Sequence, residues 1–256
     1  MEKVTIHNRK GENVVVEFKL NENPKGLVFV MHGLGGFKEQ SHLQVIVDAF
    51  LEENYSVVRF DTTNSVGESD GDYFNATVTN YYEDLEDLID WTNGQSWYEE
   101  PFVLVGHSLG GMCVSLFAQK HPEKVKALAP IASVISGELS THAPRYEDGS
   151  LITWEKEGKM LRGESPTKQQ MWLAWHHMED RMHYDLTKDA NKLTMPVLLV
   201  VGDKDISTPP EHQKALFDVL PGKKEIHVIK GSKHTFKGDE HKTELKKYFT
   251  NWITTL

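Results

Sequence analysis

The stretch Phe102-Val103-Leu104-Val105-Gly106-His107-Ser108-Leu109-Gly110-Gly111 constrains the fold more than any other part of the chain. Apolar, β-favouring residues end in Gly-x-Ser-x-Gly, and a helix-prone run from Met112 to Lys120 follows until Pro122 stops it. A buried strand feeding a tight turn into a helix holds the serine in a strained backbone, with its Oγ lifted above the sheet edge. Gly106 and Gly110 flank it because a Cβ at either place would collide where strand and helix meet. Gly-x-Ser-x-Gly alone marks any glycine-bracketed turn. The strand before it and the helix after it make it a nucleophile elbow.

The rest of the chain supplies a matching frame. Residues 3–7 and 13–19 alternate apolar and polar around Lys10-Gly11-Glu12-Asn13, which predicts an antiparallel hairpin. Gly26 to Met31 is a continuous apolar run, as a strand covered on both faces requires, and it leads into His32-Gly33-Leu34-Gly35-Gly36. A helix around 42–53 and a strand at Ser56–Phe60 follow. Val78, Tyr81, Leu85, Leu88 and Ile89 recur at helical spacing, which predicts an amphipathic helix over 78–92. Further strands are expected at Val125–Ile131, Pro196–Val201 and Glu225–Ile229. Thr208-Pro209-Pro210-Glu211 reads as a helix start with Thr208 as the cap, and a last helix carries Leu245, Phe249 and Trp252 inward. Strands alternating with helices predict a mainly parallel sheet covered on both sides.

One segment breaks this rhythm. Between Ala132 and Pro196 the chain is far longer than one crossover helix needs. Residues 136–188 are expected to form a small cap over the serine, inserted into a core made of 1–135 and 189–256. Within it, Ser150–Arg162 is read as a short hairpin. Ser165-Pro166 is read as the start of a helix carrying Met171, Trp172, Trp175, Met178 and Met182.

Composition narrows the partners. At 256 residues the chain can bury one α/β core, and its net charge of −10 argues against nucleic acid, whose phosphates need a basic face. No run approaches the ~20 apolar residues of a membrane span, and the first residues lack the apolar core of a secretory signal. The lone cysteine, Cys113, excludes an internal disulfide and fits a reducing compartment. A cytoplasmic protein with no membrane partner is expected.

A serine hydroxyl needs a base beside it, itself oriented by a carboxylate. In a parallel sheet such partners sit on loops beyond the carboxyl ends of later strands. Two loops offer them: Gly202-Asp203-Lys204-Asp205 and Gly231-Ser232-Lys233-His234. The order Ser108…Asp205…His234 belongs to one fold family.

With these landmarks, together with His32-Gly33 and Asp61…Gly67-Glu68-Ser69, the chain resembles the α/β-hydrolase superfamily over nearly its whole length. Within it, the chain looks most like small carboxylesterases of the cinnamoyl-esterase and monoglyceride-lipase types. The resemblance implies an α/β-hydrolase fold: a mainly parallel eight-stranded sheet flanked by helices, with a small cap after the sixth strand. It implies Ser108 as nucleophile, His234 as base and Asp205 as its orienting acid. It places the oxyanion hole at the backbone N–H groups of Leu34 and Leu109. The Leu109 N–H also opens a helix, where unpaired N–H groups favour negative charge. Relatives usually carry Asp-x-x-Gly-x-Gly-x-Ser after the fourth strand. Here Asp61–Ser69 is one residue longer and lacks the first glycine, which bears on pocket shape at the border of the site.

Other residues have plainer readings. Asp203 is the rival acid, but Asp205 holds the acid's place in the family's Gly-x-x-Asp pattern. His107 and His32 are read as structural. His176, His177 and His183 match no metal-ligand spacing, since adjacent helical residues diverge by ~100°, so no metal and no cofactor are expected. Trp154, Trp172, Trp175 and Met178 are candidates for lining an apolar acyl pocket. The expected activity is hydrolysis of a small-molecule carboxylic ester through an acyl-enzyme, on small to medium acyl or aromatic acyl groups. A thioesterase, amidase or C–C hydrolase would use the same triad, and a ligand-binding protein on the same fold would use none. An aspartate-nucleophile branch is disfavoured because position 108 is serine.

Overall fold

The computed structural model describes residues 1–165 and 167–256. Its first elements are the antiparallel hairpin of β1 (Glu2–His7) and β2 (Asn13–Lys19). There follow β3 (Leu27–Met31), α1 (Ser41–Glu52), β4 (Ser56–Phe60), α2 (Val78–Asn93), β5 (Phe102–His107), α3 (Leu109–Lys120) and β6 (Val125–Ile131). After an insertion come β9 (Val197–Gly202), α7 (Pro210–Val219), β10 (Lys224–Ile229) and α8 (Asp239–Ile253). The eight strands form one sheet in the order β1-β2-β4-β3-β5-β6-β9-β10. Only the β1–β2 and β2–β4 pairs are antiparallel, so the mainly parallel sheet expected from the alternation is present.

Why β5 sits at the centre follows from its composition. Phe102 and Leu104 point into the core beneath α2 and α3, while Val103 and Val105 point into the core beneath α1 and α8. A strand that opens on four successive apolar residues is stable only where both faces are covered. α2 shows how its own sequence starts and orients it: the Thr77 hydroxyl accepts from Asn80 N–H at 3.0 Å, and Val78, Tyr81, Leu85 and Leu88 form the buried stripe. Among the described residues, no helix is long and apolar enough to cross a membrane.

The insertion between β6 and β9 folds differently from the sequence expectation. It contains α4 (Gly137–Thr141), α5 (Ser150–Glu157), β7 (Lys159–Glu164), β8 (Gln170–Ala174) and α6 (His176–Arg181). Ser150–Glu157 is thus helix rather than half of a hairpin, bounded by left-handed Gly149 and Gly158. The expected helix through Met171 and Trp172 is instead β8, paired antiparallel with β7. Five residues of apolar spacing fit either period, and pairing with β7 decides between them. Pro166, expected to open that helix, lies outside the described residues. A bridge between Ser136 and Asp185 closes the base of the insertion. Asp180 and Tyr184 tie it to Thr79 on α2.

Candidate active site

Ser108 sits at the carboxyl end of β5 with φ 55° and ψ −115°, a conformation costing ~1–3 kcal/mol that only its surroundings can hold. Its N–H donates to Ile131 O at 3.0 Å, and its carbonyl accepts from Val134 N at 3.1 Å. Glycine is required on both sides. A Cβ on Gly106 would lie 2.3 Å from Gly110 O, and one on Gly110 would lie 2.3 Å from His32 O.

The loops after β9 and β10 bring the other two residues to this turn. His234 Nε2 lies 2.9 Å from Ser108 Oγ, and His234 Nδ1 lies 2.7 Å from Asp205 Oδ2. Asp205 is buried, which alone would push its carboxyl up. The hydrogen bond and charge of His234, with the N–H groups of Thr208 and Ser207, outweigh burial and hold it below the usual carboxylate range. Asp205 Oδ1 accepts from Ser207 N at 2.8 Å and from Thr208 N at 3.0 Å. The rival Asp203 instead accepts from Gly231 N at 2.6 Å and bonds one loop to the other.

Three further residues, Thr208, His107 and His32, organise this line and the turn beside it. Thr208 Oγ1 stands 2.9 Å from Asp205 Oδ2 and 2.8 Å from Ala132 O. It does not cap α7, whose first residue is Pro210 after Pro209, so the sequence reading of Thr208 as a helix cap is corrected. His107 Nε2 donates to His234 O at 2.9 Å, fixing the backbone of the base. Burial, then the charges of His42 and His234, push the His107 imidazole well below its ordinary range. His32 is locked from both nitrogens: Nδ1 donates to Gly33 O at 2.8 Å and Nε2 accepts from Thr62 N at 3.0 Å. In the trans Gly33–Leu34 peptide the N–H points opposite the carbonyl, so holding Gly33 O aims the Leu34 N–H away from His32. Among the described residues, neither the Leu34 nor the Leu109 N–H finds an acceptor.

Ser108, Leu34, Val134 and His234 border a cavity of about 100 Å³ whose other walls are Ser140, Arg145, Tyr146, Arg162, Arg181, Ser207 and Thr208. The four cap residues expected at an acyl pocket are not among them. Trp154 and Met178 are buried in the packing of the insertion. Trp154 donates from Nε1 to Leu173 O and meets the edge of Trp175 at 5.4 Å. Trp172, 36% exposed, faces clefts away from Ser108. The Asp61–Ser69 loop lines one of those clefts rather than the cavity at Ser108. Its Asp61 carboxylate is enclosed by Lys38 and Glu68 N. A wider cleft lined by Pro144, Ile206, Pro209 and Pro210 opens on the other side of His234. The carboxylates of Glu17, Glu39 and Glu68 converge closely enough for a cation, but Lys3, Lys38 and Arg59 already neutralise them.

Comparison with known proteins agrees with this architecture. The family model described as serine aminopeptidase, S33 (Hydrolase_4) matches residues 22–151 and 150–241. An uncharacterized 31.7 kDa protein of Escherichia coli is 24% identical, with 88% of this chain and 89% of that one covered. The mouse palmitoyl-protein thioesterase ABHD10 is 28% identical over 75% of this chain and 62% of its own length. In structure, ABHD10 from mouse superposes with a TM-score of 0.80 at 20% identity, covering 100% and 99% of the two chains. Est1E from Butyrivibrio proteoclasticus, solved with ferulic acid, gives 0.79 at 20% identity over 98% of each. The chain is a member of the serine aminopeptidase S33 family of hydrolases, built on the α/β-hydrolase fold.

Proposed function

We propose that the protein is a serine hydrolase that cleaves small-molecule carboxylic esters through an acyl-enzyme. The observation carrying this reading is the 2.9 Å approach of His234 Nε2 to Ser108 Oγ on a strained turn. Ser108 Oγ attacks the ester carbonyl as His234 takes its proton, and Asp205 stabilises the resulting imidazolium. The oxyanion is received by the N–H groups of Leu34 and Leu109, the latter at the positive end of α3. His234 then protonates the departing alcohol, and a water activated by the same imidazole releases the acid. The cleft beside Ile206 and Pro209 has room for the alcohol portion. Residues 136–188 act as the cap that walls the acyl side. Buried Cys113, the lone cysteine, supports a reducing, cytoplasmic setting.

A second reading is thioester hydrolysis, favoured by the likeness to a palmitoyl-protein thioesterase. A cavity of about 100 Å³ walled by three arginines does not suit a long apolar acyl chain. Purified protein is expected to hydrolyse p-nitrophenyl butyrate, and to do so faster than butyryl-CoA. Ser108→Ala should abolish both reactions, and unchanged turnover in that variant would reject the assignment.

A further inference from the structure

Among the described residues, the buried cations Lys38 and Arg59 have carboxylate partners and buried Arg181 does not. Lys38, whose side chain is fully buried, is met by Asp61, Glu68 and Glu39. Arg59 is met by Glu17 at 2.6 Å. Arg145, Arg162 and Arg181 converge on the cavity that holds Ser108, and among the described residues none of the three has an ion pair. Arg181 is 8% exposed, and its Nε has no partner; neither does Nε of Arg145. An unpaired charge taken out of water is expensive, so buried Arg181, with half-buried Arg145 and Arg162 beside it on one small cavity, demands an explanation.

Their placement is built rather than accidental. Arg181 donates to Nε2 of His177, whose Nδ1 contacts Ala76 O at 2.8 Å, so the guanidinium is anchored to α2's approach through a buried neutral ring. Burial first, then the charge of Arg181, keeps that histidine unprotonated. Tyr146 sits between the other two: the Arg145 guanidinium lies 5.2 Å over its ring, and Arg162 donates to its hydroxyl at 3.4 Å. Arg145 also reaches Ser207 Oγ at 3.2 Å. The nearby Asp205 is already committed to His234, Ser207 and Thr208. Burial and the neighbouring guanidiniums pull Arg181 down to about 10, which leaves it charged at neutral pH.

We propose that Arg145, Arg162 and Arg181 bind an anionic oxygen group, carboxylate or phosphate, carried on the acyl part of the ester that Ser108 attacks. The planar guanidinium presents paired N–H groups that match either anion, and a short acyl chain ending in one fills a cavity of this size. The protein is therefore selective for half-esters of short diacids over neutral esters, despite its overall net charge of −10. This specificity rests on the hydrolase reading above.

The test compares kcat/KM for monoethyl glutarate, ethyl 4-phosphonobutanoate and the neutral ethyl 5-methylhexanoate. The wild type is expected to favour at least one anionic ester by tenfold or more, and whichever is faster identifies the anion. Arg162→Gln, at a half-buried position, should reduce that preference at least fivefold, as should Arg181→Gln where it folds. A neutral ester turned over as fast as both anionic ones, or a preference unaltered in folded Arg162→Gln, would overturn the proposal. Binding is read separately: free glutarate or inorganic phosphate should raise the Tm of the wild type and raise it less in Arg162→Gln. If no ester is hydrolysed but this ligand-dependent shift is seen, the anion site stands and the hydrolase reading falls. If neither anion shifts the Tm while the neutral ester is cleaved, the anion site falls and the hydrolase reading stands.

Discussion

Thr208→Val removes one hydroxyl from beside the candidate triad and nearly preserves side-chain volume. That hydroxyl lies 2.9 Å from Asp205 Oδ2 and 2.8 Å from Ala132 O, on a buried side chain. A hydrogen bond to a charged group is worth about 1.5–3 kcal/mol, and each ~1.4 kcal/mol of transition-state stabilisation is tenfold in rate. Complete loss from the transition state would therefore slow kcat/KM by roughly 10- to 150-fold. Asp205 keeps the donors Ser207 N, Thr208 N and His234 Nδ1, so the carboxylate stays in place. The expected fall is thus near the lower bound, about tenfold. Kinetics on p-nitrophenyl butyrate at pH 8, beside a thermal melt to verify folding, measure it. Thr208→Ser returns the hydroxyl and should recover most of the rate. A folded valine variant with wild-type kcat/KM, or a serine variant no better than valine, would refute a positioning role for Thr208.

Other perturbations follow from the same geometry. In Gly33→Ala the new Cβ would lie 2.8 Å from Ser108 Cβ and 3.0 Å from His107 O, so the Leu34 loop must shift away from the serine. Ester turnover should drop by two orders of magnitude or so, as for a lost oxyanion donor, with ellipticity unchanged; near-normal turnover would dissociate Leu34 from the chemistry. His32, His42, His107 and His177 are all held below the ordinary histidine range chiefly by burial, His42 at about 3. Unfolded, each gains a proton near pH 6.5, so the stability present above that pH is lost as pH falls towards the folded values, at up to ~1.4 kcal/mol per group per pH unit. Asp84, pushed up to about 6 by burial against hydrogen bonds from Asn8 and Thr63, acts in the opposite sense, losing stability as pH rises through that value. Four groups outweigh one, so the urea midpoint should be lower at pH 5.5 than at 7.5, and His42→Phe should flatten the difference. A midpoint that rises on acidification would contradict this. Trp154→Ala should lower stability by about 3–5 kcal/mol through the cavity it leaves beneath β8, read as a fall in the urea midpoint; a change under 1 kcal/mol would mean the insertion packs loosely.

The convergence of the candidate site was more legible in the sequence than the insertion above it, for a physical reason. Ser108 and Asp205 each follow a continuous apolar run and His234 follows the mixed edge strand β10, and parallel topology sends the ends of all three to one edge whatever lies between them. Residues 136–188 have no comparable guide. Met171, Trp172, Trp175 and Met178 keep helical spacing, yet the first two lie in a strand fixed by pairing with Lys159–Glu164, which only the folded insertion reveals. Arg145, Arg162 and Arg181 are scattered across a short 3-10 turn, a strand and a helix, so no local pattern announces their convergence. Thr208 left a usable trace. An aspartate accepting from the N–H groups two and three residues later is an ordinary turn device, and Asp205-x-x-Thr208 has that form.

Reaction of the folded protein with a fluorophosphonate, followed by peptide mass spectrometry, interrogates the hydroxyl directly. A single adduct on Ser108, formed much more slowly in His234→Ala, is the outcome that this structure predicts. An unmodified Ser108 in native protein, or an adduct forming equally fast without the His234 imidazole, would contradict it.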